Sequence, residues 1–186
     1  MANNRRSSRQ TSSMIAFCGM MVALATVMMF TGGLVPVFTY CAPMIAGVIL
    51  LPILLEYGKK AAWTAYAAVA LITLFVGIDK EAAFFYLFLG YYPIVKWDID
   101  RLRRKPLRVL LKLLVFNVSI VAMYAILGFL LHMDAMVEEF SQMGAALLAV
   151  FVVLMNVCMF MYDKLLTPLV VIYVNRLRPK LRFLRS

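Results

Sequence analysis

Acidic residues, histidine and cysteine are all scarce in this chain. Only 9 of its 186 residues are Asp or Glu, against 19 Lys and Arg, and a single histidine is present. There is no HExxH pair to hold zinc, no GxSxG nucleophile turn and no carboxylate-rich metal cluster. No GxxxxGK[ST] loop cradles nucleotide phosphates, so the chain does not power transport by itself. The lone His132 stands at the end of an apolar run, where a solvated interfacial ring is the simplest expectation. The three cysteines, Cys18, Cys41 and Cys158, sit singly in apolar surroundings without a CxxC pair. They imply neither a disulfide framework nor a metal site, and they read as small buried residues. The expectation is a protein that is not an enzyme, with no catalytic residues, no bound metal and no cofactor.

What the chain does contain is hydrocarbon. It is 65% hydrophobic and 15% charged, whereas soluble domains are roughly 45–50% apolar and about 25% charged. That excess needs lipid as its partner, which makes this an all-α integral membrane protein of one domain. A net charge of +10 invites a nucleic-acid reading. The basic residues nevertheless occur as short blocks at the ends of apolar runs, where they set topology, so no nucleic acid is expected.

The densest block is Lys96–Lys112, KWDIDRLRRKPLRVLLK. It resists translocation and pins this turn inside. Residues 1–13 read as a disordered basic tail, also inside, followed by a membrane domain over 14–174 and a second basic tail over 175–186. Six helices are expected, with both termini inside: Met14–Phe30, Cys41–Leu55 kinked at Pro52, Ala61–Gly77, Ala82–Val95 ending near Pro93, Leu107–Leu131, and a last run from Gly144. The turn Glu56–Lys60 lies inside. Asp79, Lys80 and Glu81 form a tight outside turn, and Asp134, Glu138 and Glu139 stand in an outside loop. The last run is far longer than a bilayer needs. Either one kinked helix continues past Asp163, or the span ends there and an interfacial helix follows; the second is the preferred expectation.

Polar residues inside the spans carry the most information, because leaving them unpaired in lipid is costly. Asn117, Val121, Tyr124 and Gly128 share one face of the fifth helix, and Asn156, Asp163 and Thr167 share a face of the last. These residues either line a polar pocket between helices or bond one helix to another. For Asn156 and Asp163 the structural role is favoured, and Asp163 should find its partner in Lys112 or Lys96. On the first helix, Ala16, Gly19 and Ala23 form a small-residue face that a neighbouring helix can approach closely.

Six spans in so short a chain, a basic N-terminal tail and Gly19-x-x-x-Ala23 on the first helix resemble the substrate-binding (S) component of energy-coupling-factor (ECF) transporters. The GYYPIVK run, Gly90–Lys96, is also similar to small bacterial membrane proteins of this architecture. The resemblance covers roughly 14–174. It implies a multi-pass protein of the bacterial cytoplasmic membrane that captures a vitamin-like small molecule or metal ion on its outer side. It also implies a coupling subunit and two ATPases as partners, docked through Ala16, Gly19 and Ala23. By the same resemblance, Tyr40, Lys80, Tyr86, Tyr124 and Glu138 are the substrate-binding candidates. The alternative is a membrane scaffold, similar to the rod-shape-determining membrane proteins, with no transport role.

Overall fold

The computed structural model describes residues 2–32, 38–77, 79–130 and 144–179. The described residues are helical with short connections: α1 (Ala2–Gly32), α2 (Phe38–Ile49), α3 (Leu51–Val76), α4 (Lys80–Leu89), α5 (Tyr92–Ile99), α6 (Lys105–Leu130) and α7 (Ala145–Ile172), which runs on into a π-helical turn, Tyr173–Leu177. Among the described residues, four stretches are long and apolar enough to cross a membrane: Thr11–Gly32, Leu51–Val76, Lys105–Met123 and Ala149–Leu177. The fold is therefore that of an all-α membrane protein. α2 is apolar but shorter, with 12 residues, while α4 has 10 and α5 has 8.

Several local features depart from the sequence expectations. The first helix begins at Ala2, well ahead of Met14, so the basic segment expected as a disordered tail is continuous with it. Pro52 does not sit inside a helix. The chain pauses at Leu50, and Pro52 falls in the first turn of α3, where its missing N–H breaks no helical bond. The proline inside the second helix is Pro43 of α2, which is buried. Within α3 the helical path breaks at Gly58 (φ 83°, ψ −177°), dividing it into arms 51–57 and 59–76. That break falls in the expected Glu56–Lys60 turn, and only glycine adopts such a conformation without strain. The expected fourth span is split at Gly90 and Tyr91, and Pro93 opens α5 instead of closing the preceding helix.

The expected end of the last span at Asp163 is also overturned. α7 passes through Asp163 and through Pro168 without interruption, so no separate interfacial helix follows Asp163. In the π turn beyond it, Arg178 N–H donates to the Tyr173 carbonyl at 2.9 Å, five residues back. Two of the three cysteines depart from expectation as well. Cys41 and Cys158 are exposed, Cys18 is half-buried, and all three are free thiols. In a lipid-facing protein the outside is itself apolar, so apolar surroundings in sequence do not imply burial.

The described residues divide into two compact units, one from Met1–Val95 with Leu166–Ser186 and the other from Lys96–Leu165. In the first, α1 packs on α2 and α3, and α2 packs on α4. Small residues permit the close approach: Ala25, Ala42, Ala46 and Ala62 are wholly buried. The buried stripe of the 59–76 arm is Ala62, Ala65, Tyr66, Val69 and Thr73, at helical spacing. In the second unit the buried face of α6 is Lys112, Phe116, Ser119 and Met123, and α7 buries Met159 and Tyr162.

Candidate functional site

Two polar centres stand out, one in each unit. In the first unit, the start of α2 meets the start of α4. Asp79 is the N-cap of α4: one carboxylate oxygen accepts from the Ala82 N–H at 3.0 Å, leaving the other to accept from the Thr39 hydroxyl at 2.8 Å. One residue further along α2 and two beyond Asp79, the Tyr40 hydroxyl donates to Glu81 Oε1 at 2.8 Å. Glu81 lies in the first turn of α4, where the helix dipole favours a negative charge. Lys80 opens α4, stays exposed, and bends back to donate to the Leu74 carbonyl at 2.8 Å.

Aromatic rings lie below this rim. The Tyr40 ring meets Phe85 edge-on at 5.5 Å. Tyr86 is completely buried, 5.5 Å from Tyr66. The Tyr66 hydroxyl donates to the Leu87 carbonyl, and Trp63 stacks with Tyr91 at 6.0 Å. Of the five substrate-binding candidates, the structure thus brings Tyr40 and Lys80 to one rim and places Tyr86 beneath it. Glu138 lies outside the described residues, as does the Tyr124 side chain. Two carboxylates and two hydroxyls beside aromatic rings form an acceptor-rich set suited to a solute that presents hydrogen-bond donors or positive charge.

At the other end of the 59–76 arm, Glu56 is nearly buried and forms an ion pair with Arg178, Oε1 to Nε at 2.9 Å. This ties the π turn to the first arm of α3. Sequence reasoning did not find this pair, because residues so far apart leave no local pattern.

The second centre is ionic. Asp163 of α7 accepts from Lys96 Nζ at 2.6 Å and, through both carboxylate oxygens, from Lys112 Nζ at 2.9 Å. Lys96 also donates to the Asp163 main-chain carbonyl at 2.9 Å. Both lysines named as alternative partners of Asp163 therefore hold it at once. Asp100, which sequence reasoning passed over, completes the set, 2.7 Å from Lys112 and 3.3 Å from Lys96, with Arg108 at 4.0 Å. Its i,i+4 spacing from Lys96 was the available signal. Each lysine is only 8% exposed, so two cations and two anions neutralise one another in a largely dry place.

Higher on the same two helices, Asn117 and Asn156 pair through their amides, at 3.0 and 3.3 Å. Each also donates to the carbonyl four residues back in its own helix. Val121 and Thr167, placed on the same faces by spacing, are exposed. The arrangement is an interhelical bond, and the described side chains of these faces do not converge on a polar pocket. Replacing either asparagine with leucine is expected to cost more than replacing both. The coupling should be about 0.6 kcal/mol, and a double-mutant cycle of melting in detergent checks it.

The face Ala16, Gly19 and Ala23 is exposed, and a Cβ added at Gly19 would meet nothing within 4 Å. The buried side of α1 is instead Phe17, Ala25, Thr26 and Met29. Among the described residues no group of three or more His, Cys, Asp or Glu side chains is placed to hold a metal ion. Comparison with protein-family models, with curated proteins and with solved structures gives no match to this chain.

Proposed function

We propose that this protein is a substrate-capture subunit of an ECF-type importer in the bacterial cytoplasmic membrane, taking a vitamin-like small molecule or a metal ion from outside. The observation that carries this reading is the rim of Thr39, Tyr40, Asp79 and Glu81. It joins the chain just after the first helix to the chain just after the third, two of the segments such subunits use for their ligand. A six-span path has both termini inside. In it α2 with the 51–57 arm crosses once, 59–76 crosses back, and α4 with α5 crosses next, each about 27–30 Å long at 1.5 Å per residue. The exposed small-residue face of α1 is then free for a coupling subunit that works with two ATPases.

The purified full chain, screened by thermal shift against vitamins and divalent cations, should be stabilised by one of them. Asp79→Asn and Tyr40→Phe should each weaken that effect roughly tenfold, the cost of losing one hydrogen bond with a charged partner. A chain that no compound stabilises overturns the capture role. In a background lacking Cys18, Cys41 and Cys158, Lys80→Cys and Arg103→Cys should label from opposite faces of the membrane. Labelling from one face refutes the six-span path.

A membrane scaffold without transport is the second reading. What favours it is that the rim groups already bond one another, as a purely structural contact requires. Loss of cell shape with intact uptake would decide for it.

A further inference from the structure

The ionic centre leaves a remainder. Asp100 and Asp163 are engaged by Lys96, Lys112 and, at longer range, Arg108. The neighbouring cations Arg103, Arg104 and Lys105 are all exposed, and none of their side chains makes a hydrogen bond or ion pair among the described residues. No acidic residue stands in the first turn of α6 to offset them. Three adjacent positive charges at the start of a helix repel one another and the helix dipole, and an anion relieves both.

The surroundings say which anion. The apolar span begins at this same turn, Lys105–Met123, and Leu102 and Leu107 are exposed among the cations. Trp97 is 38% exposed, and the Arg101 guanidinium lies 5.9 Å from the centroid of its ring. An amphipathic indole beside a basic group, next to exposed leucines, belongs at the level of lipid headgroups. We infer that the α5–α6 turn is a binding site for the phosphate of an anionic phospholipid, held by Arg103, Arg104 and Lys105, with Trp97 and Arg101 setting its depth. Guanidinium forks suit phosphate oxygens through paired N–H donors, and the leucines meet the start of the acyl chains.

The test uses the full chain in neutral detergent and native mass spectrometry, with phosphatidylglycerol and phosphatidylcholine of identical acyl chains as probes. Phosphatidylglycerol should be retained in preference to phosphatidylcholine. Each basic side chain near a charged headgroup is worth about fivefold in binding, so R103Q/R104Q/K105Q should weaken retention on the order of a hundredfold. R103K/R104K should keep most of it, and Lys60→Gln, which removes an exposed charge elsewhere, should change nothing. These side chains lie outside the core, so the triple variant should melt like the parent; if it aggregates, Arg103→Gln alone should still show the fivefold loss. Equal retention of the two lipids, or a loss as large from Lys60→Gln as from the triple variant, overturns the site. Full displacement of phosphatidylglycerol by millimolar inorganic phosphate would also overturn it, by showing that the cations take any oxyanion.

Discussion

Asp163→Asn should be the most damaging single substitution in the second unit, lowering stability by about 3–5 kcal/mol. The substitution keeps the shape and removes the charge. Two ammonium groups, each 8% exposed, would then share Asp100 alone, whose side chain is 34% exposed and already approached by Arg108 at 4.0 Å. An uncompensated charge in a dry place costs far more than the intact pair contributes, which is why breaking such a pair hurts more than replacing all of it. Lys96→Met introduced together with Asp163→Asn should therefore recover part of the loss. A melting series in detergent over the two single variants and the double variant measures this coupling. Additive losses would mean that Lys96 and Asp163 do not share an ion pair.

Gly58→Ala should cost about 1–3 kcal/mol, although the space around Gly58 is empty. A Cβ there would touch nothing within 4 Å. The penalty lies wholly in the backbone, held at φ 83° and ψ −177°, where a side chain strains its own peptide groups. Relief of that strain moves the joint between the 51–57 and 59–76 arms, and Glu56 lies just before it. The Arg178–Glu56 contact at 2.9 Å should loosen as a result. Faster proteolysis after Arg176 or Arg178 in the Ala variant would report the loosening, alongside a lower melting temperature. A variant that melts and is cleaved like the parent would mean that the break at Gly58 is not required.

The charges were legible in the sequence, and the elements they end were less so. An intramembrane carboxylate must find a cation, and that requirement alone named Lys96 and Lys112. The reading of α7 goes astray at Asp163. The excess length of the run over a bilayer favours an end there, whereas the Asp163 charge is cancelled inside the fold by two lysines and the helix has no reason to stop. Proline was ambiguous for a related reason. A helix treats it as a breaker in the interior and as a good first-turn residue, and Pro52 and Pro93 take the second role. For the candidate rim, Tyr40 and Lys80 came from resemblance. The Thr39–Asp79 bond depends on how α2 and α4 align across the bundle, and spacing along the chain does not encode that alignment.

The wide turn at Tyr173–Leu177 sets the phase of Arg178, the basic residue just beyond it. A π turn holds one residue more than an α turn, so everything after it is rotated by roughly 100° relative to an unbroken helix. Deleting one residue between 173 and 177 would let the helix close up and carry the Arg178 guanidinium a quarter-turn off Glu56. Arg178, which reads in sequence as one of a loose string of cations, is by this geometry indexed to Glu56 like a key cut to one angle.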